Sequence, residues 1–284
     1  MGKKNPSSLD YETLLHELAL KNWRRAILEG DFPRAIQNAD QLSRSRDRFW
    51  RWQGYLDLAV TNLCQGRSES AREALEGAKE CFREVPGLRA PAFEIEAHFW
   101  VETGNPRRAL ETARDAAIET PLLVYLRGLA HARLEDLGSA ASDALVLSRG
   151  GSALEAALSR HVTAESHRET AVEMLREAAG SLPRGERDPG TARILVEFAL
   201  GSALFERGEL PHAHRQFEDV LRNEEAALYW PLPFVRALFF RAKIRGRLGD
   251  EPGAIADAER FLSYWGAGDL DRERLAEARQ LVKA

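Results

Sequence analysis

The chain is poor in cysteine, in strand-type alternation, in long apolar runs and in net charge, and each shortage removes a class of function. Only Cys64 and Cys81 occur among the 284 residues. Their spacing fits neither a CxxC metal knuckle nor a disulfide framework. On the two arms of one helical hairpin they would lie more than about 10 Å apart, because a helix rises about 1.5 Å per residue. A disulfide needs Cα atoms within about 7 Å, so two free, buried thiols are expected. No apolar run approaches a membrane span. The opening "MGKKNPSS" has no apolar stretch behind its basic residues, and Pro6 stands where a myristoylation signal needs Ser or Thr. These features read as a cytoplasmic protein with no membrane partner. The net charge of −4 provides no global field for nucleic acid.

Motifs of catalysis are missing as well. There is no GxxxxGK[ST] phosphate loop, GxSxG elbow, HExxH pair or kinase signature. His212 and His214 flank Ala213, so on a helix they point about 200° apart and cannot share a metal. His161 and His167 likewise fall on different faces. No metal, no cofactor and no enzymatic activity are expected.

What is present is helical periodicity, punctuated by Gly, Asp and Pro. The punctuation recurs in "EGDFPRAI" (29–36), "QGRSESAR" (65–72), "TGNPRRAL" (103–110), "RGELPHAH" (207–214) and "LGDEPGAI" (248–255). Each has Gly and, five places later, Ala. Two further copies, "LEDLGSAA" (134–141) and "ESHRETAV" (165–172), keep the Ala and lose the Gly. The alanines Ala35, Ala71, Ala109, Ala140, Ala171, Ala213 and Ala254 are 36, 38, 31, 31, 42 and 41 residues apart. Seven units of this length signal stacked repeats. Gly ends a first helix with a left-handed cap, Pro starts the second, and Ala permits a close crossing between them.

These units resemble tetratricopeptide repeats. The sixth carries Leu200-Gly201, Leu204, Gly208, Ala213 and Phe217; the third carries Trp100, Gly104, Ala109, Ala116 and Pro121. The fourth supplies Gly128 and Ala140, and the fifth Ala171, Ala178 and Pro183. The resemblance implies an all-α, right-handed α-solenoid of about seven hairpins over residues 9–266, after a disordered tail (1–8) and before a C-terminal capping helix (267–284). "SLPRGERDPG" (181–190) reads as a longer loop.

In this family the first helix of each hairpin lines a concave groove. The resemblance therefore puts Arg24, Gln53, Glu94, His98, Tyr125, Arg133, Arg160, Phe198 and Ser202 on the inner surface. In "FVRALFFRAKIRGRLGD" (234–250), Arg236, Lys243 and Arg247 fall on one side of a helix with Phe239 among them. Such a wall suits an acidic peptide, a C-terminal carboxylate or a phosphate. Where chaperone-binding members carry a Lys and Asn clamp, this chain has Leu20 and Arg24, which argues against a chaperone adaptor. The basic-aromatic "SRSRDRFWRW" (43–52) reads as a helix end followed by packing aromatics, without nucleic-acid binding.

The implied function is a non-catalytic scaffold that holds a peptide or protein segment. The alternative is a regulatory or sensor module acting with a kinase, protease or transcription regulator. The ending "AERFLSYWGAGDLDRERLAEAR" resembles the close of repeat regions attached to bacterial serine/threonine kinases and regulators. A bacterial source also fits 34 Arg among 40 basic residues. In that ending, Gly266 and Gly268 are expected to stop a helix, Asp269 to cap the next, and Phe261 with Trp265 to form the surface on which the final helix sits.

Overall fold

The computed structural model describes residues 6–182 and 191–283. All of the regular structure among them is helical. Helices α1 (Pro6–Glu29) and α2 (Phe32–Ser43) form the first antiparallel hairpin, and α3 (Arg48–Cys64) and α4 (Ser68–Cys81) the second. The third pairs α5 (Pro86–Glu102) with α6 (Pro106–Asp115), and the fourth α7 (Pro121–Arg133) with α8 (Leu137–Ser148). The fifth pairs α9 (Ala153–Ser166) with α10 (Ala171–Ser181), and the sixth α11 (Thr191–Glu206) with α12 (Leu210–Arg222). A short helix α13 (Ala226–Tyr229) precedes the seventh, α14 (Pro231–Arg247) with α15 (Glu251–Trp265), and α16 (Arg272–Leu281) follows it. Helix α1 already begins at Pro6, before the boundary expected at residue 9. Residues 183–190, most of the expected longer loop, lie outside the described residues, as do residues 1–5.

The repeat logic read from small residues explains the hairpins. Six of the seven aligned alanines are buried at the helix crossings, and Ala171 is half-buried. The turn glycines Gly30, Gly66, Gly104, Gly208 and Gly249 all have positive φ, between 66° and 84°. In the fourth hairpin, which lacks the glycine, Glu135 takes the same left-handed turn at φ 62°. The fifth escapes it through a 3₁₀ turn over Arg168–Thr170. Left-handed backbone costs a non-glycine residue roughly 1–2 kcal/mol, partly offset by the greater freedom glycine has when unfolded. Glu135→Gly is therefore expected to stabilise the chain by about 1 kcal/mol in urea unfolding. A destabilised variant would show that Glu135 contributes something the turn geometry does not explain.

The stack does not end at its last hairpin. Trp265, at the end of α15, is fully buried and donates its indole N–H to the Leu63 carbonyl at the end of α3, 3.0 Å away. Tyr264 packs edge-on against Phe32 in the first hairpin, with ring centroids 5.2 Å apart. The backbone N–H groups of Asp269 and Leu270 reach the Gly66 carbonyl at 2.8 and 3.3 Å. Gly268 has to be a glycine, because a Cβ there would sit 2.5 Å from the Gln65 carbonyl oxygen and 2.6 Å from that of Gly66. The expectation that Asp269 caps the final helix is thus corrected. Its carboxylate accepts from Ser68 N–H at 3.0 Å, supplying the N-terminal cap that α4 lacks locally. Residue 271 precedes α16 instead, with φ 47° and no side-chain cap. Helix α16 does pack on α15 through the buried Leu275 and Ala278. The terminal segment is a clasp joining the seventh hairpin to the second, and one core cluster runs from Trp23 to Ala278.

Candidate functional site

The first helices of the hairpins turn one face toward the space enclosed by the closed array, and two cavities open there. The first, of about 370 Å³, lies against α1, α3, α5 and α7 and is bounded on the other side by α13 and Trp230. The second, of about 420 Å³, lies mainly against α7, α9 and α11, with the start of α10 and Pro233 of α14.

Of the residues expected on the inner surface, Arg24, Gln53 and Glu94 line the first cavity. Tyr125, Arg133, Phe198 and Ser202 line the second. Arg160 is exposed and lines neither. His98 is buried beside Trp230, its ring edge-on at 4.7 Å. The basic wall on α14 is placed differently from the expectation. Arg236 and Phe239 are buried, so neither is open to a partner in this arrangement. The Arg236 guanidinium donates to Asp271 at 2.7 and 3.1 Å, and to the Glu102 carboxylate at 2.5 Å and carbonyl at 3.0 Å. Lys243 pairs with Glu277 of α16 at 2.6 Å. Arg247 lies exposed over the Phe205 ring, 4.9 Å from its centroid. The helical wheel groups these cations on one side; what covers that side is the clasp.

Along the wall of the second cavity runs a chain of charges. Arg236 meets Glu102, Glu102 lies 3.8 Å from Arg133, and Arg133 pairs with Glu165 at 2.9 Å while also donating to the Val101 carbonyl. Burial alone would push the Glu102 carboxyl up, but Arg236 and Arg133 outweigh it and hold it at about 2. Burial brings His98 and His161 down to about 4, so both imidazoles are neutral at pH 7. His161 shares a 2.8 Å hydrogen bond with the Tyr125 hydroxyl in the second cavity. These groups link α14, α5, α7 and α9 in a polar seam.

The floor of the first cavity holds a residue that the sequence reading passed over. Asp57 of α3 is only 2% exposed. Gln53 donates to its Oδ1 at 2.7 Å, while Oδ2 has no hydrogen-bond partner among the described residues. Burial pushes this carboxyl up to about 8, against the pull of the Gln53 amide and Arg24. Glu94, half-buried, accepts from the Thr120 hydroxyl at 2.5 Å and is also pushed up by burial. The buried Trp230 indole N–H likewise has no partner among the described residues. A polar residue at one position of an amphipathic helix gives no sign that a distant segment will bury it. The segment itself left a trace: α13 and Trp230 fall in the long, 41-residue interval between Ala213 and Ala254.

No protein-family model and no curated protein sequence matches the chain. Several solved structures do. A tetratricopeptide repeat protein from Parabacteroides merdae ATCC 43184 is 16% identical with a TM-score of 0.47, over 95% of this chain and all (100%) of that one. A Rap protein complexed with Competence and Sporulation Factor is 13% identical with a TM-score of 0.48, over 94% of this chain and 86% of that one. The apo form of the quorum sensor NprR from B. thuringiensis is 14% identical with a TM-score of 0.47, over 93% and 80% respectively. This chain, for its part, is an all-α solenoid of tetratricopeptide-like hairpins, closed by its own C-terminal segment.

Proposed function

We propose that the protein is a non-catalytic scaffold that holds a short peptide or protein segment against its inner surface. The observation that carries this reading is the position of the two cavities. Both open on the faces of the first helices, where Arg24, Gln53, Glu94, Tyr125, Arg133, Phe198 and Ser202 converge from five different hairpins. Pockets of a few hundred Å³ are the usual form of a binding site; the first has mostly apolar walls with a few polar groups, and the second has mixed ones. The second cavity carries Arg133, Arg168 and Arg207 together with Glu102, Glu165 and Glu206, so a segment held there meets charges of both signs.

A second reading, a sensor module acting with a kinase, protease or transcription regulator, is favoured by one feature. A ligand in the first cavity would touch both the early hairpins and the α13 segment leading into the clasped seventh, so occupancy would bear on closure.

The test is selection of displayed linear peptides on the full-length chain, followed by affinity measurement on two cavity-filling variants. Gln53→Trp fills the first cavity and Ser202→Trp the second. At least one is expected to weaken the selected peptide by about tenfold or more, equivalent to about 1.4 kcal/mol. A peptide held equally well by both variants would move the site off the inner surface.

A further inference from the structure

We infer that the first cavity is a receptor for a primary ammonium group carried on an apolar stem, with Asp57 as its counter-charge. This deepens the scaffold reading and rests on the inner surface being a binding surface, but it names a chemistry that the basic wall on α14 did not suggest.

Three features of the cavity converge on that ligand. Asp57 is buried with one carboxylate oxygen unpartnered, and buried polar groups without partners are rare in folded proteins. Glu94 adds a second carboxyl, held by Thr120 through one oxygen. Facing these are the aromatic walls of Trp23, whose indole N–H is already satisfied by Thr61 at 2.9 Å, and Trp230. Trp is the best side chain for attracting a cation to its face, and Leu56, Val60 and Ile95 supply an apolar lining for a stem.

The lining favours a cation over an anion. The lining has two carboxyl groups and one cation, Arg24. Arg24 is exposed, so solvent screens it, whereas Asp57 is desolvated. An anion would meet the carboxyls with no buried cation to receive it. An ammonium ion supplies the counter-charge that favours ionisation of Asp57 against its burial.

Binding then carries a proton signature. The polar and titratable groups that share the cavity with Asp57 are Gln53 on its own helix, Arg24 on α1, Glu94 on α5 and Tyr229 on α13. In the empty cavity Asp57 holds its proton at neutral pH, with a pKa of about 8. Docking of the ammonium favours the carboxylate, and the proton leaves to solvent. Affinity should therefore rise about tenfold per pH unit up to about pH 8 and level off above it.

The experiment titrates the full chain with n-pentylammonium chloride at fixed ionic strength, read by tryptophan fluorescence, with sodium pentanoate and pentanol as controls. The expected result is a saturable change at concentrations at least about tenfold lower for the ammonium than for either control. Asp57→Asn should weaken it by about tenfold or more, and Glu94→Gln by less. Thermal unfolding checks that Asp57→Asn folds. If it does not, calorimetry on the unaltered chain in two buffers of different ionisation enthalpy still reads the proton release near pH 7. Equal binding of pentanoate or pentanol, or ammonium binding without proton release, overturns the inference. An acetylated peptide with one lysine, run against a lysine-free peptide with a free N-terminus, distinguishes a side-chain from a terminal ammonium. Peptide selection that fails while pentylammonium binds leaves this site intact and removes the scaffold reading. A selected peptide with no response to pentylammonium does the reverse.

Discussion

Trp265→Ala is expected to destabilise the protein by about 3–5 kcal/mol, the range for truncating a large buried aromatic. Its effect should reach the second hairpin as well as the seventh. Trp265 is fully buried between Phe261, 5.6 Å away by ring centroids, and the turn at Gly66, where a Cβ would lie 3.1 Å from the indole. Removing the indole opens a cavity at the junction of two hairpins and takes one of two donors from the Leu63 carbonyl at the C-terminus of α3, which keeps the Gly66 N–H at 3.1 Å.

Urea unfolding measures the total loss, and amide hydrogen exchange localises it. Faster exchange in the α3–α4 turn, 201 residues from Asp269, would report an opened clasp. Trp265→Phe separates the two contributions, since it keeps most of the volume and drops the N–H; about 1–2 kcal/mol is expected for that change. Trp265→Ala within about 1 kcal/mol of the unaltered chain would mean that the ring does not depend on the clasp. The same logic extends to deletion of residues 269–284. It takes Asp269 from Ser68 and so uncaps α4, a loss far from the deleted helix.

The hairpins were legible because their determinants are local. A turn glycine with positive φ and an alanine five places later leave the same mark in five of the seven units, and Glu135 shows that the turn survives when the glycine does not. Ring closure leaves no such mark. Asp269 sits at the start of a helical pattern and looks like a local cap, yet its carboxylate is used by a helix from the second hairpin. Arg236 and Phe239 lie on one side of α14, as the helical wheel requires. No wheel reports that Glu102 and Asp271, from elsewhere in the chain, will cover that side. Asp57 was missed for the same reason, because its burial depends on Trp230 arriving from a segment outside the repeat period.

Arg236→Met is expected to cost about 3–5 kcal/mol at neutral pH, because it leaves two carboxylates in a desolvated seam without their main counter-charge. The side chain is replaced by one of similar reach, so packing is largely kept. Glu102 would have only Arg133, at 3.8 Å, and Asp271 only Arg274, at 2.7 Å. If the loss comes from orphaned charge, neutralising Glu102 should return part of it. The double variant Arg236→Met with Glu102→Gln is therefore expected to be more stable than Arg236→Met alone. Such a sign cannot arise from lost contacts, since each substitution removes some. The pH dependence gives an independent reading. In the unaltered chain the Glu102 pKa is depressed from 4.5 to about 2, so its stabilisation is present above pH 4.5 and is lost as pH falls through about 2. Without Arg236, burial dominates and the carboxyl is pushed up; stability is then favoured by protonation and declines as pH rises. The deficit of Arg236→Met should accordingly be smaller at pH 4 than at pH 7. A deficit that stays constant across that range, together with no recovery in the double variant, would show that Arg236 holds the ring by packing and that the buried charges of the seam contribute little to its closure.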